Sequence, residues 1–475
     1  MRRVTPDRSW PLHDEAEIRR LEQAAAAALP PHTLMQRAGL AVARLALAIA
    51  PHARTVWIAC GPGNNGGDGF EAALHLKQWG KDPIVTWLGE ESSAPADALA
   101  SLQRARAAGV RFAAQAPAQW ELAIDALLGI GSKRAPEGAM LAQVEAMNAS
   151  SAPVLGVDLP SGLDADTGHA HAAVRASHTL ALVALKPGLF TAKGRDAAGE
   201  VWFDDLQVTG DADSSLAILS PPPEMRPRPH ASHKGSYGDV AVIGGAPGMA
   251  GAALLAARAA LHHGAGRVFL GFLDPAAPVL APDQPDLMVR AWDSVELAPM
   301  AVACGCGGGD AVRRALPRAL AARALVLDAD ALNAVAADPQ LQALVAARGR
   351  RGAPTVLTPH PLEAARLLGT DAGSVQRDRL EAARELARRF AGVVVLKGSG
   401  SVIAAPQGRV RINPTGNARL AIAGTGDVLA GWIAARLAAG EDALEAASAA
   451  VYLHGLAADR WPADQPLTAS ALASK

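Results

Sequence analysis

Three stretches of the chain set carboxylates, amides and glycines in an order that suits anion and proton chemistry. The first is Gly61-Pro62-Gly63-Asn64-Asn65-Gly66-Gly67-Asp68-Gly69, which follows an apolar run ending at Cys60 and precedes helical spacing from Phe70 to Trp79. Glycines let a backbone approach a phosphate closely and aim several N–H groups at it, and the positive end of a following helix favours the anion. A plain turn needs one or two glycines; five of them with two Asn and an Asp point to a ligand. The spacing is neither that of the dinucleotide fingerprint nor that of the lysine-bearing phosphate loop of nucleotide triphosphatases.

Two carboxylates follow at predicted strand ends: Asp125 in Asp125-Ala126-Leu127-Leu128-Gly129-Ile130-Gly131, and Asp158 in Asp158-Leu159-Pro160-Ser161-Gly162. A single Asp there is as readily a helix N-cap. Two of them with an Asn-rich loop and Ser161 at one sheet edge make a site, and oxygen donors without His or Cys suit a hard cation or an acid/base pocket rather than zinc.

The third stretch is Gly424-Thr425-Gly426-Asp427-Val428-Leu429-Ala430-Gly431 at the start of an Ala/Leu-rich helix. Its amides can receive the charge of a transferring phosphoryl group, and the adjacent Asp427 can deprotonate a hydroxyl. Leu327-Asp328-Ala329-Asp330, Thr358-Pro359-His360-Pro361 and Leu396-Lys397-Gly398-Ser399-Gly400-Ser401 also fall at predicted strand ends. His360 or Lys397 alone would be an ordinary surface residue; it is their grouping with the Gly-Thr-Gly-Asp helix that counts.

The elements that must hold these residues alternate short β-rich runs with longer helical ones, the pattern of a parallel sheet covered by helices. Predicted strands are Thr55–Cys60, Ile84–Leu88, Leu122–Leu128, Val154–Val157 and Thr179–Leu185, then Asp239–Ile243, Arg267–Gly271, Ala301–Cys304, Ala324–Leu327, Thr355–Leu357, Val393–Leu396 and Ser401–Ala404. Ligands in such sheets bind beyond the carboxyl ends of the strands. At 475 residues the chain exceeds one ordinary core. Five prolines within Ser220–Pro229 form an extended linker, so the expected division is residues 1–219, linker 220–229 and residues 230–475, two α/β domains.

Lys+Arg 45 against Asp+Glu 46 gives no electrostatic reason to bind nucleic acid. Cys60, Cys304 and Cys306 cannot build a disulfide framework. The start of the chain lacks a secretory apolar segment, and Leu40–Ala50 is too short to span a bilayer. A cytoplasmic location without membrane attachment is the expectation.

The first half resembles the epimerase domain of the bifunctional NAD(P)H-hydrate repair enzymes, from Leu34-Met35-Gln36-Arg37-Ala38-Gly39 through the Asn-Asn-Gly-Gly-Asp run and both carboxylate motifs to Leu185-Lys186-Pro187-Gly188-Leu189-Phe190-Thr191. That resemblance implies a Rossmann-like sheet with helices on both faces. It also implies that Asn64, Asn65, Gly66, Gly67, Asp68, Gly129, Ile130, Gly131, Ser132, Lys133, Arg134, Ala135 and Asp158 contact the hydrated nucleotide. Asn65, Asp125 and Ser161 would hold K+, and Asp158 is the candidate general acid/base, a carboxyl partly desolvated in a cleft. Leu128 and Ile130 replace the usual Phe and Thr of that motif, so one phosphate-facing hydroxyl is lost.

The second half resembles the ribokinase-like, ADP- or ATP-dependent NAD(P)H-hydrate dehydratase domain over about residues 230 to 460. By that likeness Ala252, Gly307, His360 and Asp427 meet the hydrate, Lys397, Gly398, Ser399, Gly400, Ser401 and Gly426 hold the adenine nucleotide, Asp427 is the catalytic base and Mg2+ bridges the phosphates. Gly305-Cys306-Gly307-Gly308-Gly309 stands where the family has Gly-Pro-Gly-Leu-Gly. The implied substrates are NADH hydrate and NADPH hydrate, and assembly as a homo-oligomer is expected. The alternatives are a ribokinase-like vitamin or sugar-alcohol kinase with a nucleotide-binding regulatory domain, and a first half kept only as a binding scaffold.

Overall fold

A computed structural model describes residues 1–131, 133–170, 172–208, 214–224 and 227–475. The chain forms two compact units that divide between Ile218 and Leu219, with Pro6–Ser9 counted in the second. Ser132, one of the nucleotide-contact candidates, lies outside the described residues.

The first sheet runs Arg2–Arg3, Glu200–Asp204, His178–Leu182, Val154–Val157, Leu122–Ala126, Thr55–Cys60, Asp82–Trp87, Arg111–Ala113. Every pairing is parallel except that of the first two strands. Alternate residues of Thr55–Cys60 serve different cores. Val56, Ile58 and Cys60 pack with the helices Thr33–Ile49, Asn64–Gln78 and Ala96–Ala107, while Trp57 and Ala59 pack with Val144 and Met147 of the helix Gly138–Ala149. Helices therefore cover both faces, and the central strands are mainly apolar, with Asp125 a buried exception in Leu122–Ala126.

The strands of the second unit run Met288–Val289, Arg267–Phe272, Asp239–Gly244, Ala301–Cys304, Ala324–Leu327, Thr355–Leu357, Val393–Leu396, Val402–Ala404, Val410–Ile412. They are parallel as far as Val393–Leu396, and the last two pairings are antiparallel. A core of Val240, Val242, Val268 and Leu270 receives the Ala-rich helices Ala250–His262, Thr425–Ala438 and Ala443–Asp459.

Chain order reverses between Thr55–Cys60 and Leu122–Ala126 in the first sheet, and between Asp239–Gly244 and Ala301–Cys304 in the second. Those are the crevices where a parallel sheet leaves room for a ligand. Two predicted strands overran by two residues or more. Leu122–Leu128 stops at Ala126, with Leu127 buried in the bend beyond, and Thr179–Leu185 stops at Leu182, leaving Leu185 buried as an isolated parallel bridge to Leu12.

Candidate active sites

The Asn-Asn-Gly-Gly-Asp run is not the loop its composition suggests: the helix begins at Asn64 and continues to Gln78. Close packing explains its glycines. A Cβ on Gly66 would lie 2.2 Å from the Gly61 carbonyl, one on Gly67 2.5 Å from the Met35 sulfur, and one on Gly69 2.7 Å from the Cys60 sulfur. The anion-binding feature is then the first helical turn, whose free N–H groups lie at the switch point, rather than a flexible loop.

Asn65 sits in that turn and its amide donates to the Leu128 carbonyl at 3.0 Å. Next to it Asp125, fully buried, accepts from Ser161 N at 2.8 Å, Ser161 Oγ at 2.6 Å and Leu127 N at 3.3 Å. Burial outweighs these bonds and pushes the Asp125 carboxyl up to about 6. Asn65 is thus joined through Leu128, whose N donates to Ser161 Oγ at 2.9 Å, to the buried pair of Ser161 and Asp125. A carboxylate whose ionisation is opposed by burial, with neutral oxygens around it, fits a monovalent hard cation.

Asp158 lies at the end of the neighbouring strand with φ 69, a left-handed conformation that an Asp adopts at a cost. The turn aims Asp158 Oδ1 at Leu182 N, 3.0 Å away, and at the ammonium of Lys186, which also donates to the Leu182 carbonyl at 2.8 Å. Lys186 is completely buried. The expected desolvated carboxyl at Asp158 therefore has an ammonium partner, which the sequence reading did not give it. Burial, followed by the charge of Asp158, instead raises Asp68 well above the ordinary carboxylate range and raises Glu22 as well. Glu22, on the helix Glu15–Ala28, belongs to no motif and is a site residue that sequence reasoning missed. Gly131 and the stretch Lys133, Arg134 and Ala135 are exposed beyond this edge, with Gly129 and Ile130 partly covered.

In the second unit a series of backbone bonds brings successive strand ends to one edge. Gly305 N donates to the Ile243 carbonyl, Asp328 N to Cys304, Thr358 N to Leu327 and Lys397 N to Pro359. Asp328, buried, gathers Lys397 Nζ and Thr358 Oγ1, each at 2.7 Å from Oδ1. Burial opposes the Lys397 charge, but Asp328 and Glu363 outweigh it and the lysine pKa is raised. A Cβ on Gly426 would lie 3.3 Å from Lys397 Nζ, which places the ammonium against the start of the helix Thr425–Ala438.

Asp427, in the first turn of that helix, is pushed up to about 6 by burial and then by the charge of Asp328. The Cys306 sulfur and oxygens of Asp328 and Asp427 lie within 4.8 Å of one another. Burial, followed by these carboxylates, raises the Cys306 thiol well above its usual range, which leaves the two carboxylates as the hard donors suited to Mg2+. Gly307 has φ 59, and a Cβ there would lie 2.7 Å from the Met249 carbonyl and 2.9 Å from Ala252 Cβ, so Gly307 and Ala252 form one surface.

His360 caps the helix Pro361–Leu368: Nδ1 accepts from Leu362 N at 3.1 Å and Glu363 N at 3.3 Å, and Glu363 returns a bond to His360 N. With Nδ1 an acceptor, the ring proton is assigned to Nε2. Ser401 Oγ closes the Lys397–Ser401 turn on the Gly398 carbonyl at 3.2 Å, and Gly398 and Gly400 have φ 142 and 58. Beneath that turn lies Arg379, fully buried, donating to the Leu396 and Lys397 carbonyls. Neither Arg379 nor Asp328 was among the residues assigned a contact from sequence; Asp328 had a signal, a strand-end Asp, and Arg379 had none.

Two parallel sheets, each carrying carboxylates and a helix N-terminus at its switch point, define a two-site α/β enzyme. Residues 31–188 match the YjeF-related protein N-terminus family and residues 240–475 the NAD(P)H-hydrate dehydratase family. The bifunctional NAD(P)H-hydrate repair enzyme Nnr of Escherichia coli is 40% identical over 468 residues, covering 93% of this chain and 88% of that protein. The protein of the same name from Thermofilum pendens is 33% identical, covering 94% and 90%. Among solved structures, the ADP/ATP-dependent NAD(P)H-hydrate dehydratase from Bacillus subtilis, co-crystallized with ATP/Mg2+, is 34% identical over 52% of this chain and 91% of its own, with a TM-score of 0.44. The chain belongs to the bifunctional NAD(P)H-hydrate repair enzymes. That membership disfavours the vitamin or sugar-alcohol kinase alternative. No helix among the described residues is long and apolar enough to cross a membrane.

Proposed function

We propose that the first unit epimerises the R and S forms of NADH hydrate and NADPH hydrate, and that the second dehydrates the S form with ADP or ATP as phosphoryl donor. The observation that carries the reading is that the carboxyl edge of each sheet holds a buried carboxylate paired with a lysine: Asp158, whose charge acts on Asp68 of the helix Asn64–Gln78, with Lys186, and Asp328 with Lys397 against the start of Thr425–Ala438, which carries Asp427.

In the hydrate, a hydroxyl sits on a carbon bonded to the ring nitrogen. Asp158 protonates the hydroxyl, which leaves as water while the nitrogen lone pair forms the C=N bond. Water returns to the opposite face and gives up its proton to Asp158. Lys186, bonded to the same carboxylate oxygen, is the source of the proton that Asp158 passes to the hydroxyl and takes it back through Asp158 when water adds, so the pair ends as it began. Asn64, Asn65, Gly66, Gly67 and Asp68, together with the loop of Gly129, Ile130, Gly131, Ser132, Lys133, Arg134 and Ala135, bind the nucleotide. Asn65, Asp125 and Ser161 would hold K+, which would supply positive charge toward the anionic nucleotide.

In the second unit Asp427 takes the proton of the S-hydrate hydroxyl, whose oxygen then bonds to the terminal phosphorus as the nucleotide leaves. The nitrogen lone pair expels the new phosphate ester, and loss of the neighbouring carbon's proton restores the ring double bond. Lys397, the Gly424–Gly426 amides and the Gly398–Ser401 turn hold the phosphates and the nucleotide, while Ala252, Gly307 and His360 hold the hydrate. Mg2+ near Asp328 and Asp427 supplies charge neutralisation when bound. A cytoplasmic homo-oligomer acting on free nucleotides, with no nucleic-acid or membrane partner, fits the even charge.

The test is to incubate the full-length protein with racemic NADH hydrate and follow the absorbance of the reduced nicotinamide. With ADP the reading requires complete recovery. Recovery stopping at half would remove the epimerase, and orthophosphate release without hydrate would remove the coupled dehydratase.

A further inference from the structure

The helix Glu15–Ala28 carries Glu15, Arg19 and Glu22 at positions i, i+4 and i+7, which lie on one face. One end of that face is at the reaction centre, since Glu22 feels the charges of Asp158 and Lys186. The other end is at the nucleotide-contact loop. A guanidinium nitrogen of Arg19 comes so close to Gly131 that a Cβ there would lie 2.4 Å from it. Arg19 is bonded to Glu15 at 2.9 Å, and Glu15 also reaches Lys133 at 3.4 Å. Asp164 and Asp166 act on Lys133 as well, so Lys133 is held by several acids, whereas Arg19 is bonded to Glu15 and acts at longer range on Glu22. The next residue, Arg20, belongs to a different face and is taken up by both oxygens of Glu17.

We propose that Arg19 is a substrate-binding residue of the first unit, taking the pyrophosphate of the hydrated nucleotide in place of Glu15. The inference rests on the epimerase reading of that unit and adds to it a residue from a third element. Along the helix Arg19 and Glu22 are only about 5 Å apart, so a nucleotide with its nicotinamide at Asp158 and its phosphates toward Gly131 passes the Arg19 side chain. A planar guanidinium suits two adjacent phosphate oxygens, and Glu15 is the carboxylate that keeps it positioned meanwhile.

The test is the epimerisation rate of the full-length protein without adenine nucleotide, measured as loss of the R form for NADH hydrate and for NADPH hydrate. Arg19→Ala raises KM about tenfold or more for both, the loss of one charge-assisted contact, with kcat nearly kept. Glu15→Gln breaks the same ion pair but frees Arg19 along with Lys133, and so lowers KM, a gain that adding Arg19→Ala abolishes. An equal rise in KM for both variants would make the pair a fold support and overturn the proposal. So would an effect on NADPH hydrate alone, which would place the contact at the 2′-phosphate. An active wild type with an unchanged Arg19→Ala removes Arg19 alone, whereas a wild type that does not epimerise removes the reading beneath it too.

Discussion

Asp125 offers the sharpest test of the buried cation site. Its carboxyl is raised from 3.8 to about 6, so the fold favours the protonated form. The associated stability is fully present below the unfolded pKa and is lost as pH rises through about 6. The whole effect is about 3 kcal/mol, of which about 1.4 kcal/mol falls between pH 5 and pH 8. Asp125→Asn imitates the neutral side chain: its oxygen can accept from Ser161 N while its amide donates to Ser161 Oγ. A chain of two units does not unfold in one step, so the suitable readout is hydrogen exchange in peptides spanning Leu122–Ala126 and Val154–Val157, corrected for intrinsic rates. Opening of the wild type relative to Asp125→Asn should become about tenfold more frequent from pH 5 to pH 8 without K+. Saturating K+ at pH 8 should then protect the wild type by about 2 to 3 kcal/mol at a hundredfold excess over its dissociation constant, and leave Asp125→Asn unmoved. A wild-type to variant ratio that is flat with pH and indifferent to K+ would refute the reasoning.

Other consequences are as direct. Asp427→Asn should slow ADP-dependent recovery of NADH by about two to four orders of magnitude while R and S hydrate still interconvert. The wild-type dehydration rate should fall as pH drops through about 6, where the Asp427 base becomes protonated; a rate that held steady to pH 5 would move the base elsewhere. Asp158→Asn should stop epimerisation and leave dehydration of purified S hydrate intact, as chromatography of the two isomers would show. Gly307→Ala places a Cβ 2.7 Å from the Met249 carbonyl at a positive φ, so a cost of about 1 to 3 kcal/mol should appear as a lowered melting temperature together with a raised KM for S hydrate.

What could be read from sequence was whatever is local. Asp125 and Asp158 stand out as a pair of carboxylates at the ends of apolar strands with glycine a few residues on, and Asp427 because it follows paired glycines at the start of a helix. The run Asn64 to Asp68 was legible as a site but not as a helix, since its composition opposes helix formation and only the packing of Gly66, Gly67 and Gly69 against distant residues overrides it. The short strands Arg111–Ala113 and Met288–Val289 carry no apolar run long enough to signal themselves. Lys186 was visible as part of a motif, yet its partner follows from the left-handed turn at Asp158. Glu22 and Arg379 act across elements far apart in the chain, and no spacing reveals that.

The glycine-rich opening of the helix Asn64–Gln78 has a thermal consequence. Three glycines, two asparagines and an aspartate make Asn64–Gly69 one of the poorest helix formers available, at about 1 kcal/mol per glycine relative to alanine. That turn therefore exists only while Met35, Cys60 and Gly61 press against it. On warming, loosening of the helix Thr33–Ile49 that carries Met35 would unwind the nucleotide-facing turn before the sheet melts. Epimerisation should then fade at temperatures where the rest of the unit is still folded.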